Sequence, residues 1–431
     1  MAITEMFRDF LQNLKIDNSD KISNRYDEIT ASLNKKFRDT QSKKANSLQV
    51  GSYGRWTAIK GISDLDMLYI MPKGKWGHYE DGKQSQLLSD VRSAIKARYP
   101  TTDVRVDRLV VTVTYTNFHI EVQPVFKQDD GSFKYPDTYN GGSWKTTKPC
   151  EEIAAMTEFS KEKNNNLRNL CRMARAWKNK HGVGMGGLLI DTLAHNFLKS
   201  TDYYDDKGFL YYDYMSRDFF EYLSKLPKQD RFAALGSGQH VKVKKQFQRK
   251  AKKAYKLCLK AIDAGDAGDA SQDKWKKVYG RPFPAATVTK TVTEALESRS
   301  AWRNTEQFIE DLFPIDIRYS LSLDCEVSQR GYREHFLTDM LARKLPLLVN
   351  KKLLFTVSDI QVPEPYQLKW KVLNRGVEAQ KKDCIRGQIF DDDGYKRRNE
   401  STSFKGEHIV ECYAIKNGIV VAKDRIHVPI Q

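Results

Sequence analysis

Residues 51–70 read GSYGRWTAIKGISDLDMLYI. A Gly-Ser pair opens the stretch, and Asp64 and Asp66 stand one residue apart where an apolar run begins. Side chains alternate along a strand, so both aspartates share one face while Leu65 points the other way, into a core. Two carboxylates on one face repel each other, and holding them at the mouth of a core is unfavourable without a cation. A divalent metal relieves that cost. Two such metals, roughly 3.5–4 Å apart, activate an attacking oxygen and stabilise a leaving one. Hard oxygen ligands of this kind suit Mg²⁺, with Mn²⁺ as the alternative.

A two-metal site calls for a third carboxylate from a neighbouring strand. The run NFHIEVQPVF, residues 117–126, alternates Phe118, Ile120 and Val122 against His119, Glu121 and Gln123. Glu121 is the candidate, and His119, on the same face, reads as a rim residue. A Gly51-Ser52 turn at a helix start would present backbone N–H groups to a phosphate, and the hydroxyl adds a donor. It is no Walker A loop, because GxxxxGK[ST] is absent. Arg55, Thr57 and Lys60 are further polar groups on the same connection. Each part alone is common: a Gly-Ser is usually a turn, a DxD a solvated loop, a lone strand acid a solvent-facing side chain. The specificity lies in the order, with Asp64 twelve residues after Ser52 and Glu121 on a second strand.

The chain has 431 residues, room for two or three domains, and 40% of them are hydrophobic. Its 72 Lys and Arg against 55 Asp and Glu leave a net charge of +17. That balance fits a polyanionic partner or substrate, or general solubility. Six scattered cysteines without a CxxC read as reduced thiols of a cytosolic protein. The start, MAITEMFRDFLQNLKI, lacks the apolar stretch of a signal peptide. No run of about 18 apolar residues spans a membrane. A cytoplasmic protein is expected.

Periodicity predicts helix over residues 3–45, then strands joined by turns over 46–145, with a helix around 84–99. Residues 150–300 are helical in pattern. NLRNLCRMARAWKNKHG is amphipathic and stops near Gly182, and GGLLIDTLAHNFL starts the next helix. Residues 241–260 hold nine Lys or Arg and no acid, with Phe247, Ala251, Ala254 and Cys258 as their apolar stripe. DAGDAGDAS follows as a turn and lacks EF-hand spacing, and WKKVYGRPFP closes the unit. From about 315, strand-like runs are punctuated by turns at 374–376, 391–394 and 417–418, the pattern of a small β-sandwich, interrupted by a helix over 332–346. The expected division is 1–150 for an N-terminal helix and catalytic core, 151–312 for a helical nucleotide-binding lobe, and 313–431 for a β-rich domain.

On these residues, GSYGRWTAIKGISDLDMLYI resembles the signature of polymerase-β-like nucleotidyltransferases. It is most similar to the SMODS-type CD-NTases, the cGAS/DncV-like bacterial relatives of cyclic GMP-AMP synthase and oligoadenylate synthetase. HIEVQPVF is similar to their third-carboxylate strand, where aspartate is the more frequent residue; Glu121 keeps the charge on a longer arm. LRNLCRMARAWKNKHG looks like the second-lobe helix that lends basic residues to the triphosphate, with Arg175 and Lys178 at the matching positions. This resemblance covers about residues 40–290. YQLKWKVLNRGVEA, IRGQIF and HIVECYAIKNGIVVAKDRIHVPI resemble the small C-terminal domain called AGS-C, proposed to act as a sensor.

The resemblance implies an α+β fold: a polymerase-β-like nucleotidyltransferase core, an oligoadenylate-synthetase-like helical second lobe and a small C-terminal β-sandwich domain. It implies Asp64, Asp66 and Glu121 as catalytic residues and ligands of two Mg²⁺ ions. Gly51, Ser52, Arg55, Thr57, Arg175 and Lys178 are the implied nucleotide ligands. The implied reaction joins NTP substrates into a cyclic di- or trinucleotide with loss of pyrophosphate, a second messenger of anti-phage signalling read by a separate effector protein. One rival is a nucleotidyltransferase that modifies a protein, tRNA or small molecule. Another is a nucleic-acid-binding protein acting through its basic face, although Phe247 and Tyr255 read as core rather than as stacking platforms. A third reading joins the two, with a nucleic acid or other ligand activating the enzyme at Lys244, Lys245, Arg249 and Lys252.

Overall fold

The structure is a computed structural model and describes residues 2–116, 118–265, 269–285, 306–330, 334–374, 378–379 and 386–431. It divides into two compact units, Met1–Ala176 with Gly186–Pro284, and Trp177–Met185 with Ala285–Gln431. The core and most of the helical lobe, expected as separate domains, fall in the first of these, while 177–185 and the stretch from 285 fall in the second. The mixed helix and strand content is the expected α+β class.

The first unit is built on a seven-stranded sheet whose main path runs Ser47–Gln49, Asp64–Ile70, His119–Lys127, Val111–Thr114, Asp103–Val106. Asp64–Ile70 and His119–Lys127 are parallel, while their outer neighbours are antiparallel. A parallel pair needs a crossover, and helix Gln84–Arg98 lies within it. Leu65, Met67 and Tyr69 join Ile120 and Val122 in one core with Ile22, Ile29 and Leu33 of helix Ser19–Arg38 and with Leu88, Val91 and Ile95 of Gln84–Arg98. Burying side chains of this size stabilises by about 1.5–3 kcal/mol each. Alternation along the two central strands then turns Asp64, Asp66, His119 and Glu121 to the opposite face.

The single helix expected over 3–45 is two, Ile3–Asn13 and Ser19–Arg38. The run Asp17, Asn18, Ser19, Asp20 explains the break, since these side chains compete for nearby backbone groups and favour helix starts over interiors. The second helix packs on the sheet. The first packs with the helical lobe: the Phe7 ring is 5.2 Å from Trp275 and 5.4 Å from Phe283, and Phe10 is 4.7 Å from Tyr279.

Among the described residues, six longer helices make up the lobe, Pro149–Glu162, Asn166–His181, Gly187–Lys199, Tyr212–Lys225, Gln248–Ile262 and Asp269–Tyr279. The basic segment is not one helix. Residues 240–242 pair as a short strand with Arg231–Ala233, so Lys244 and Lys245 precede the helix while Arg249 and Lys252 lie on it. Phe247, Ala251, Ala254 and Cys258 are buried as the stripe predicts. Part of the DAGDAGDAS turn, 266–268, lies outside the described residues.

The second unit contains two four-stranded sheets, ordered His335–Phe336, Leu321–Ser328, Lys352–Ile360, Arg397–Ser401, and Ile389–Asp391, Gln367–Leu373, Gly406–Lys416, Ile419–Ile430. Cys325, Phe355, Trp370, Cys412 and Val428 share one core between them, the sandwich expected from the turn-punctuated strands. Asn417 and Gly418 take positive φ values of 51° and 76°, the two-residue turn that right-handed strand twist favours. The helix expected over 332–346 is shorter, Leu337–Ala342, because His335 and Phe336 pair in the sheet. Five cysteines are free, and Cys384 lies outside the described residues.

Truncating Phe7 to alanine should cost about 3–5 kcal/mol of unfolding free energy, as for a fully buried aromatic. Urea unfolding of the full chain measures this; a loss below about 1 kcal/mol would contradict the packing of the first helix on the lobe.

Candidate active site

The central strand pair sets the site. Asp64 lies in register with His119, and Asp66 with Glu121. The amide of His119 donates to the Ser63 carbonyl at 2.8 Å, which extends the pairing one residue outward. His119 Nε2 sits 2.5 Å from Asp64 Oδ1 and 3.8 Å from Glu121 Oε1. His119 is only 4% exposed and Asp64 7%. The imidazole is therefore no rim residue: the register seats it against the buried carboxylate.

Ligand atoms of Asp64, His119 and Glu121 all lie within 4.8 Å of one another. Asp66 lies on the same strand face but outside that cluster, and packs on Gly51. A Cβ built on Gly51 would meet Asp66 Oδ2 at 1.7 Å, and Gly51 has φ 65°. Both facts require glycine at this position. The donor set fits a hard divalent cation. Asp64, Asp66 and Glu121 offer carboxylate oxygens, the choice of Mg²⁺ and Mn²⁺, and His119 is placed to orient the most buried of them.

The Gly-Ser turn is held by a second cluster. Helix Gly51–Gly54 is a single turn, and the amides of Thr57 and Ala58 fold back to donate to the Ser52 carbonyl at 2.9 and 3.1 Å. Arg55 Nε donates to Asp191 Oδ2 at 2.9 Å, and its Nη1 to Glu152 Oε2 at 3.1 Å. Thr57 Oγ1 donates to Asp191 Oδ2 at 3.1 Å. Arg175 grips the same carboxylate with both Nη atoms, at 2.6 and 3.0 Å. Asp191 is fully buried. Burial raises its pKa, but the charges and hydrogen bonds of Arg175 and Arg55 prevail and bring it down to about 2. Burial pushes Glu152 the other way, up, against the pull of Arg55. Two guanidiniums and two carboxylates thus close a neutral buried network, the form in which interior charges are tolerated.

Of the residues read as nucleotide ligands, Gly51 sits directly against Asp66, with Ser52 next to it in the chain. Arg55, Thr57 and Arg175 hydrogen-bond to Asp191, and Arg55 also to Glu152. Lys178 belongs to the second unit, where its Nζ donates to Asp316 Oδ1 at 2.7 Å. Asp191 and Glu152 escaped the sequence reading. The signal for Asp191 was present: a lone acid in the apolar run GGLLIDTLAHNFL, where an unpaired charge could not be buried.

Residues 1–160 match the family model of the second messenger oligonucleotide or dinucleotide synthetase (SMODS) domain. Residues 303–431 match the adenylyl/guanylyl and SMODS C-terminal sensor domain, AGS_C. Together the two models match more than half of the chain. The chain belongs to the SMODS-type CD-NTases, the cGAS/DncV-like bacterial nucleotidyltransferase family, and carries the C-terminal sensor domain of that family. Among solved structures it is similar to Escherichia coli MS115-1 CdnC in complex with HORMA-deltaN (13% identity, TM-score 0.48, 65% of this chain and 98% of that one). It is also similar to the GTP-bound form of Vibrio cholerae DncV (15%, TM-score 0.45, 55% and 68%). A third likeness is to the Rhodothermus marinus CdnE c-UMP-AMP synthase with Apcpp and Upnpp (15%, TM-score 0.43, 62% and 97%). No curated protein matches the sequence.

Replacing Asp191 by alanine leaves two buried guanidiniums facing only Glu152 and should cost about 3–5 kcal/mol in urea unfolding. The pH dependence has a definite sign. The folded pKa of Asp191 lies below that of an unfolded aspartate, about 3.9, so its contribution is complete above about pH 4. It is lost as pH falls through about 2. Comparing wild type with Asp191→Ala between pH 7 and pH 2 should show the gap in stability closing toward acid; a constant gap would contradict the network.

Proposed function

We propose that this chain condenses nucleoside triphosphates into a cyclic di- or trinucleotide second messenger, releasing pyrophosphate, in the cytoplasm and in the service of anti-phage signalling. The observation that carries this reading is the in-register placement of Asp64 and Asp66 beside His119 and Glu121 on a parallel strand pair. The family supports the reaction class. Among the described residues, no helix is long and apolar enough to cross a membrane.

Asp64, Asp66 and Glu121 would hold two divalent cations, Mg²⁺ with Mn²⁺ as the alternative, which when bound supply charge for the triphosphate and acidity for the attacking hydroxyl. Gly51 and Ser52 bind the triphosphate through the backbone N–H and the hydroxyl. Arg55, Thr57 and Arg175 act one layer back, fixing that turn through Asp191. Glu121 has 27% of its side chain exposed against 6% for Asp64, so it is the carboxylate an acceptor ribose reaches. It takes the proton of the attacking hydroxyl. The hydroxyl oxygen bonds to the α-phosphorus, the bond from that phosphorus to the β-phosphate bridging oxygen breaks, and pyrophosphate departs. A second attack within the re-bound linear product closes the ring. A separate effector protein reads the product, and the C-terminal sensor domain, or the basic face with Arg249 and Lys252, receives the activating ligand.

Incubating the protein with four NTPs and Mg²⁺ should yield pyrophosphate and a phosphatase-resistant product with the mass of a cyclic di- or trinucleotide. Asp64→Ala/Asp66→Ala should abolish both. Equal yields from the two proteins, or label that ends on a macromolecule, would overturn the reading. Gly51→Ala, which drives a methyl group into Asp66, should lower the rate about a hundredfold, the usual effect of a displacement near 1 Å at a reacting centre.

A further inference from the structure

Trp56 combines two features that stability alone does not explain. It is 65% exposed, while its neighbours Arg55 and Thr57 are 4% and 0% exposed. Its backbone φ is 61°, in the left-handed region that bulky L-residues avoid. Strain of this kind persists only where the surroundings over-determine it, and it gathers at ligand sites. Here the surroundings do so from both sides. Arg55 and Thr57 are pinned to Asp191, the Trp56 amide donates to the Tyr53 carbonyl at 3.0 Å, and Arg172 Nη2 donates to the Trp56 carbonyl at 2.9 Å. The indole is held out by the same loop that carries Gly51 and Ser52.

A second observation lies on helix Asn166–His181. Arg168 and Arg172 are one turn apart and share a face. Among the described residues, neither has a carboxylate partner. Arg168 Nη2 donates to Thr157 Oγ1 at 3.0 Å, and its Nε is buried with no hydrogen-bond partner. Arg172 reaches Asn169 Oδ1 at 3.5 Å and the Trp56 carbonyl. Burial lowers the Arg172 pKa, and the like charges of Arg168 and Arg175 add to that. An exposed indole whose main-chain carbonyl is held by Arg172, one helical turn from Arg168, with no carboxylate on either guanidinium among the described residues, matches a ligand with one aromatic face and one negative group.

We propose that Trp56 is a nucleobase-stacking residue, that Arg168 meets the phosphate adjoining that base, and that Arg172 is a positioning residue holding the indole through its main-chain carbonyl. The shared chemistry is a base joined to a phosphate. It comes either from a free nucleoside triphosphate, which rests on the function proposed above, or from a strand of nucleic acid.

Calorimetric titration of the full chain with non-hydrolysable NTP analogues, a ten-nucleotide single strand of mixed sequence and inorganic tripolyphosphate separates these sources. Glycine takes the left-handed conformation without strain, so Trp56→Gly keeps the loop and removes only the indole. It should weaken one base-bearing ligand about tenfold and leave tripolyphosphate unchanged, while Trp56→Phe retains most of the affinity. A loss confined to the NTP analogues identifies the free nucleotide; a loss confined to the oligonucleotide identifies the strand. Arg172→Lys, which keeps the charge but not the fork, should weaken the same base-bearing ligand and spare tripolyphosphate; an equal loss for both would overturn the positioning role. Wild-type affinity of Trp56→Gly for both base-bearing ligands would overturn the proposal and leave the proposed function standing. A wild-type protein that binds neither NTP analogues nor the strand would overturn both.

Discussion

The parallel pairing of Asp64–Ile70 with His119–Lys127 is the constraint on which the site depends. Side chains alternate along both strands, so a single choice of register decides which four residues meet. The register observed brings Asp64 to His119 and Asp66 to Glu121. A slip of one residue would set Ile120 or Val122 opposite the aspartates and send Glu121 into the helix-covered core. The apolar residues of the other face prevent that slip, because Leu65, Met67, Ile120 and Val122 must all reach the same core. Core packing therefore sets the geometry of the carboxylates without touching them.

The second constraint falls on the Gly51–Ser52 turn, and a buried carboxylate supplies it. Asp191 ties together Arg55 and Thr57 on the turn and Arg175 on a helix of the lobe. Charges in an interior are costly singly and tolerable when paired and hydrogen-bonded. Glu152 completes the balance from helix Pro149–Glu162. Arg55 and Arg175 meet on the buried carboxylate behind the turn, and the segment with the strained, exposed Trp56 is what they hold in place.

Much of this was legible in the sequence because it rests on local period. The DLD strand, the alternation of NFHIEVQPVF and the turn-punctuated strands after 315 all announce themselves within ten residues. What stayed hidden rests on long-range choice. His119 looked like a rim residue because alternation gives a face but not a depth; its pairing with Asp64 buries it. That Arg55 and Arg175 meet on Asp191 was hidden as well, because a sequence shows a charge and not its partner. The first helix looked continuous with the second because Phe7 and Phe10 fit either period, and only their contacts with Trp275, Tyr279 and Phe283 show that they serve the lobe.

The most direct test of the central claim is the location of metal and nucleotide in the folded protein. Crystals grown with Mn²⁺ and a non-hydrolysable NTP should show anomalous peaks bounded by Asp64, Asp66 and Glu121, with the triphosphate on the Gly51–Ser52 turn. Manganese peaks elsewhere, or a triphosphate bound away from that strand pair, would contradict it.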